Sequence, residues 1–348
     1  MKKKILIIGN GLCYGGAEYY ISDILSRLSG DFDILYLVAD KTLMEKLQST
    51  GGKVAAFSTH TFVRQMQEVR SAIRREKPDI ALLNGGNGIF FTPFLRGVKK
   101  IIVRHSTNRV AVCRVPNNNF FQLLYRTLYV CLLHAAYFFS DAVVHVSNYS
   151  MKEQKLFRRR AVCIHNGLPD AVSPERKVKL PVRFLFLGRI ETFKGIDVVA
   201  EAFQKISGDV ASIDIVGAGA YSDQLLSINK KNIRYHGFQN DTGKYYQNSD
   251  VFILFSICEN CPFGVIDALR YAMPVVTTGV GGVGEMVFDG VNGLVIPKTA
   301  EAMVAAAEKL AKNPEVIPEM GQKSRQIFER SFTLERAITQ LAETINKL

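Results

Sequence analysis

Arg189 and Lys194 stand five residues apart in Phe184-Leu185-Phe186-Leu187-Gly188-Arg189-Ile190-Glu191-Thr192-Phe193-Lys194-Gly195, where an apolar run gives way to a glycine-flanked loop. A guanidinium can grip two oxygens of a diphosphate, and an ammonium adds a point charge. When a diphosphate leaves, new negative charge collects on its terminal oxygen; fixed cations and a helix dipole can stabilise it without a metal. Solvation of two surface cations is the plainer reading of the same pair.

A second group lies in Ser256-Ile257-Cys258-Glu259-Asn260-Cys261-Pro262-Phe263-Gly264-Val265-Ile266-Asp267-Ala268-Leu269, followed by Pro274-Val275-Val276-Thr277-Thr278. Glu259 belongs to a loop after a strand. Asp267 falls in the next helix, about one turn in from Pro262 at its first position and Gly264. One carboxylate can then face a sugar while the other reaches ribose hydroxyls, with phosphates on the helix N-terminus between them. As structure alone, Glu259 reads as a cap and Asp267 as an acid favoured by the dipole. Two further features are less specific. Gly9-Asn10-Gly11-Leu12-Cys13-Tyr14-Gly15-Gly16-Ala17-Glu18 lets backbone approach an anion but equally fits a tight turn. Arg104 and His105 follow a predicted strand, where an imidazole can be functional or structural.

These loops need strands to present them. Short β-branched runs at 4–8, 33–38, 53–57, 79–83, 100–104, 142–146 and 161–164 alternate with helical stretches, which predicts a parallel α/β sheet. After Asn166-Gly167-Leu168-Pro169 comes a linker with Pro174, Arg176, Lys177, Lys179 and Pro181, and the alternation restarts. Strands are predicted at 183–187, 211–216, 232–236, 251–255, 274–277 and 293–296. The expected organisation is a first domain over 1–176, a second over 177–330, and a C-terminal amphipathic helix within 331–348 crossing back to the first, with a cleft between two doubly wound sheets. Ligands of such sheets lie beyond the carboxyl ends of the strands, which is where the candidate residues fall.

Composition supports a folded α/β protein: 348 residues, 47% hydrophobic and 22% charged, exclude collagen-like, coiled-coil and disordered classes. The net charge of +12 is concentrated: residues 1–175 hold 24 Lys and Arg against 13 Asp and Glu, whereas 176–348 hold 20 against 19. A basic first half points to an anionic partner, such as a phosphorylated ligand or an acidic membrane surface, or to a solvated surface. Six scattered cysteines, several in apolar runs, read as reduced core residues of a cytoplasmic protein. Lys2 to Lys4 before Ile5 to Ile8 imitates an export signal, but the apolar run is too short. In the apolar stretch 120–139, Gln122, Arg126 and His134 recur at multiples of four, which predicts a domain helix with a polar stripe rather than a membrane span, with partial insertion or surface contact as the alternative.

The chain resembles the retaining sugar-nucleotide glycosyltransferases of the GT-B fold, in particular glycosyltransferase family four. The resemblance runs through Gly15-Gly16-Ala17-Glu18, His105, Asn166-Gly167, Gly188-Arg189 with Lys194-Gly195, Gly217-Ala218-Gly219, Gly237-Phe238, Ser249-Asp250, Glu259 to Asp267, Gly281-Gly282 with Glu285, and Asn292-Gly293-Leu294. It implies an α/β GT-B architecture of two Rossmann-like domains, with donor on the second and acceptor on the first. It gives Arg189 and Lys194 to the donor diphosphate, Glu259 to the transferred sugar, Asp267 to the ribose and His105 to a place beside the sugar. Gly15, Gly16, Gly188, Phe263, Gly264 and Val265 join the donor site. No metal and no cofactor beyond the nucleotide-sugar substrate is implied. The acceptor would be a glycan or lipid-linked saccharide, with the enzyme cytoplasmic or peripheral on the inner face of the membrane. One departure stands out: the family signature pairs two Glu residues, and Asp267 replaces the second, shortening its reach by roughly 1.3–1.5 Å.

Other readings fit less well. Val216-Gly217-Ala218-Gly219 lacks the third glycine and the later acid of a dehydrogenase fingerprint. Asp31-Phe32-Asp33 precedes its strand, away from the ligand edge, and Cys258-x-x-Cys261 lacks two more zinc ligands. A sugar-nucleotide epimerase and a catalytically silent nucleotide-sugar-binding subunit remain as alternatives. No nucleic-acid-binding module accompanies the basic residues.

Overall fold

The computed structural model describes residues 2–9, 24, 27–38, 44–45, 48, 53–58, 61–105, 120–173 and 175–348. Contacts divide the chain into two units, Met1–Gly167 with Leu334–Leu348, and Leu168–Thr333.

Among the described residues the first unit carries seven parallel strands: β1 Lys4–Gly9, β2 Asp33–Val38, β3 Lys53–Ala56, β4 Ile80–Asn84, β5 Lys99–Arg104, β6 Ala142–His145 and β7 Ala161–Cys163. Their order is β3-β2-β1-β4-β5-β6-β7. The chain therefore winds outward from β1 in one direction and from β4 in the other, which makes the β1/β4 junction the switch point of this sheet. Both faces must be covered, and the apolar runs of the strands serve this. Leu6, Ile8, Ala81, Leu83, Ile102 and Val143 pack on one face against α1 (Phe62–Glu76) and α2 (Phe120–Phe139). On the other face, Leu82, Val103, Val144 and Ile164 meet Ala337 and Leu341 of the C-terminal helix Leu334–Asn346. That helix is also tied by Lys3 Nζ to Ile345 O at 3.1 Å and by Arg27 to Glu335 at 2.6 Å.

α2 differs from its sequence expectation. Leu133, Ala136 and Tyr137 are buried, while Leu124, Leu128, Leu132, Phe138 and Phe139 are exposed. Of the expected polar stripe, His134 bonds its own helix, Nδ1 lying 2.7 Å from Val130 O; the Gln122 and Arg126 side chains lie outside the described residues. A helix apolar around most of its girth has one sheet to cover, so its far side is left over. No helix among the described residues is long and apolar enough to cross a membrane. A short helix, α3 (Asn148–Glu153), follows β6.

The second unit carries six parallel strands: β8 Val182–Leu187, β9 Ala211–Val216, β10 Ile233–Tyr235, β11 Val251–Leu254, β12 Val275–Thr277 and β13 Gly293–Val295. The order β10-β9-β8-β11-β12-β13 puts its switch point at β8/β11. Its helices are α4 Ile196–Lys205, α5 Ser222–Leu226, α6 Gly243–Asn248, α7 Phe263–Arg270, α8 Ala300–Lys312 and α9 Val316–Ser331, and α10 is the C-terminal helix of the first unit. Alternate strand residues Val182, Phe184, Phe186, Ile213, Ile215 and Ile253 form one core face with Phe203 of α4 and Met303 and Ala307 of α8. Phe184 and Phe203 meet edge to face at 5.4 Å, an arrangement worth about 1 kcal/mol beyond area burial.

The division after Gly167 leaves residues 168–176, read from the sequence as part of the first domain, in the second unit. Arg176 explains this locally: its guanidinium donates to the carbonyls of Tyr246 at 2.8 Å, Tyr271 at 2.9 Å, Ala272 at 3.2 Å, and also Ser249. Lys-, Arg- and Pro-rich composition gives a linker signal, but helix-end carbonyls recruit one of its cations.

Candidate functional site

In the second unit the candidate residues come from the two strands that flank the switch point. β8 ends at Leu187, and its loop carries Gly188, exposed Arg189, Phe193 and half-buried Lys194 before Gly195 opens α4. β11 ends at Leu254, and its loop carries Ser256 and Glu259 before α7. The backbone fastens these loops together: Ile257 N–H donates to Phe193 O at 3.0 Å. Gly195 has φ +76, and a Cβ there would lie 2.3 Å from Phe255 O, so only glycine allows the two backbones to approach this closely.

Lys194 thereby reaches Glu259. Its Nζ lies 2.5 Å from Glu259 Oε1, which also accepts from Ser256 Oγ at 2.7 Å. Glu259 is 9% exposed, so its charge is compensated by one ammonium and one hydroxyl. From the far side, Gly281 (φ +61) would place a Cβ 2.0 Å from Glu259 O; a larger residue there would displace the acid's backbone. Thr278 Oγ1 donates to Ser256 O at 2.8 Å, holding the same loop from β12.

The Phe193 ring carries cations on both sides of its sequence position. The Arg189 guanidinium lies 4.7 Å from its centroid and the Lys194 ammonium 5.6 Å. An aromatic face stabilises such cations while leaving their outward N–H groups able to meet oxygens. Neither Phe193 nor Ser256 was singled out in the sequence. Phe193 had only its place between two candidate cations as a signal, and Ser256 only its spacing of three before Glu259.

α7 begins at Phe263, with Pro262 in extended conformation (φ −72, ψ 125) as the residue before it rather than as the first helical one. Phe263, Gly264 and Val265 therefore form the first turn, at the positive end of the helix dipole. Asp267 lies in the next turn. Its carboxylate pairs with Arg270 at 2.5 Å, with about a fifth of its side-chain surface exposed. Burial pushes its pKa up to about 6, against the opposing pull of Arg270. Arg270 also donates to Pro169 O at 3.0 Å and lies over the Tyr271 ring. Asp267 is thus anchored within its own helix, whereas Lys194 and Glu259 bring separate strands together.

In the first unit, Gly15 and Gly16 lie outside the described residues. His105 stands at the end of β5, beside Asn84 at the end of β4, with Nε2 2.8 Å from Asn84 Oδ1. With that oxygen accepting, Nε2 carries the proton. Burial, and secondarily Arg104, push the imidazole pKa down to about 4, so the ring is neutral at pH 7. Asn84 orients it, and a polar residue closing the apolar run Ile80–Leu83 was the signal for it.

Two cations on one aromatic ring, a carboxylate paired with the second of them and a helix N-terminus after the same loop suit a ligand that combines phosphate and hydroxyl groups. Residues 181–313 match the family profile described as glycosyl transferases group 1. An uncharacterized glycosyltransferase of Haemophilus influenzae is 27% identical over 199 residues, covering 54% of this chain and 56% of the relative. O-antigen chain mannosyltransferase C of Escherichia coli is 28% identical over 172 residues, 44% of each chain. The chain spans about half the length of these curated relatives. The crystal structure of Anabaena HepE in complex with UDP-glucose superposes with a TM-score of 0.82 at 17% identity, covering 99% of this chain and 100% of that one. The likeness in fold is thus whole-chain, two parallel α/β sheets of the GT-B kind, and the segment 181–313 that matches the group 1 glycosyl transferase profile holds Arg189, Lys194, Glu259 and Asp267.

Proposed function

We propose that the protein transfers a sugar from a nucleoside diphosphate donor to a hydroxyl acceptor, with retention of anomeric configuration. The observation that carries this reading is the meeting of Lys194 and Glu259 at the β8/β11 switch point, on the loops that also carry Arg189 and lead into α7. The donor is assigned to the second unit and the acceptor to the first. Arg189 and Lys194 hold the diphosphate and take up the charge that develops as the glycosidic bond breaks. Glu259, released from Lys194 as phosphate oxygens claim the ammonium, accepts hydrogen bonds from sugar hydroxyls. Gly188 and the Phe263-Gly264-Val265 turn offer backbone to the donor, and Asp267 reaches the ribose. His105 contacts the sugar as a neutral imidazole.

Retention follows most simply from front-face attack, with the departing phosphate taking the acceptor proton. The proposal needs no metal, so turnover is expected to persist in EDTA. The names of two relatives, O-antigen chain mannosyltransferase C of Escherichia coli and amylovoran biosynthesis glycosyltransferase AmsK of Erwinia amylovora, support a cell-surface polysaccharide as the setting and a glycan or lipid-linked saccharide as acceptor. A panel of nucleotide sugars screened by thermal shift, followed by mass spectrometry and NMR of products, tests the reading. A new α- or β-glycoside matching the donor's configuration supports it. An epimerised donor without acceptor, or binding without nucleotide release, overturns it.

A further inference from the structure

We propose that the outward face of α2, together with the basic segment 152–160, is a docking surface for an anionic lipid bilayer. At about 100° per residue, Leu124, Leu128, Leu132, Phe138 and Phe139 fall within an arc of about 120°. All five are between 45% and 55% exposed. Leu133, Ala136 and Tyr137, which lie on the opposite side, are in the core. The stripe extends roughly 22 Å along the helix, which is a contiguous apolar surface rather than a scatter of single exposed residues.

The basic segment is fixed at the C-terminal end of this stripe. Phe157 meets Phe138 at 5.4 Å between ring centroids. Arg160 donates to Ser140 O at 2.6 Å and to Phe138 O, clamping the segment to the end of the helix. Leu156 then adds another apolar side chain, 54% exposed. Around it Lys152, Lys155, Arg158 and Arg159 are exposed. Residues 152–160 contain five Lys or Arg and one acid, Glu153, and α2 itself contains no Asp or Glu.

Charge selects the occupant. A two-fold pairing of copies through this face would set each cation cluster against the same cluster or against an acid-free helix. An anionic bilayer supplies what both parts lack: acyl chains at headgroup depth for the leucines and phenylalanines, and phosphates for the cations. Two signals together also overcome the weakness of either alone, since a single apolar contact or a single polybasic patch gives only marginal attachment. This inference concerns the first unit and stands whether or not the glycosyl-transfer reading holds.

The sequence contains no Trp, so L128W provides a single reporter in the full chain. On vesicles of phosphatidylcholine with 3:7 phosphatidylglycerol its emission is expected to shift blue and to be quenched by brominated acyl chains; pure phosphatidylcholine should give little of either. Cosedimentation of the unsubstituted chain should fall with salt. The pair R158Q/R159Q is expected to weaken partitioning roughly thirtyfold, the loss of two interfacial cations, and L128E/L132E should abolish it. Circular dichroism confirms folding of each variant, since all four positions are exposed. The proposal is overturned by quenching-free emission on anionic vesicles, by L128E/L132E binding as well as the parent, or by light scattering that shows a lipid-free dimer which L128E/L132E converts to monomer.

Discussion

Replacing Gly195 with Ala is expected to loosen the candidate site and destabilise the second unit, and Gly290→Ala provides the matched control. Both glycines have left-handed backbones, φ +76 and +70. An L-residue in that region costs about 1–2 kcal/mol, and both variants incur this. They differ in what the new methyl meets: Phe255 O at 2.3 Å in one case, nothing within 4 Å in the other. Relief of the overlap requires a shift of the β8 or β11 loop, with an overpacking cost of about 1–3 kcal/mol. The expected loss is therefore about 2–5 kcal/mol for Gly195→Ala and about 1–2 for Gly290→Ala. Urea denaturation, read on the same transition for both, measures the difference. Donor affinity by titration calorimetry should fall for Gly195→Ala alone, because Lys194 moves with the loop. Equal destabilisation by the two variants would refute the close-approach argument, and intact donor binding in a destabilised Gly195→Ala would show that the loop contact does not position Lys194.

Removal of either cation tests the charge argument: Arg189→Ala and Lys194→Ala should each slow transfer by about 10- to 1000-fold in initial-rate assays, and near-normal turnover in both would remove the diphosphate role. Asp267→Glu restores the longer carboxylate while keeping a partner for Arg270; donor affinity should hold or improve, and a large loss would mean that Asp267 does not face the ribose. His105 and His145 both have folded-state pKa values near 4, below an ordinary value of 6.5, chiefly through burial. The unfolded chain therefore binds more protons between these values, so stability is fully present above about pH 6.5 and is lost as pH falls toward 4. For His145, 1% exposed, the full effect is about 3 kcal/mol at most; His145→Gln should flatten the pH dependence of the urea midpoint, and an unchanged slope would contradict it.

The strand plan was legible because parallel strands buried on both faces are written as apolar runs such as Ile5–Ile8 and Phe252–Leu254, and each predicted strand has a counterpart within one or two residues. The places of Arg189, Lys194 and Glu259 followed from loops after those strands. What escaped was tertiary. The ring of Phe193 between two cations, the Ser256 hydroxyl on Glu259 and Asn84 beside His105 depend on distances between strands that no local pattern encodes. Arg176 read as linker because the carbonyls that bind it lie roughly 70 to 96 residues further along. For the outer face of α2 the apolar letters are plain and leave surface contact open, but which side is buried depends on how much sheet there is to cover.

The return of Leu334–Leu348 to the first unit has a consequence for biosynthesis. The second unit, Leu168–Thr333, is continuous in sequence, so all of its strands leave the ribosome before α10 does. The first sheet, made earliest, waits for Ala337 and Leu341 to join Ile24 against Leu82, Val103 and Val144. The half that is translated first is thus the half completed last, and a nascent chain stalled before residue 334 would lack the apolar side chains of Ala337 and Leu341 on that sheet.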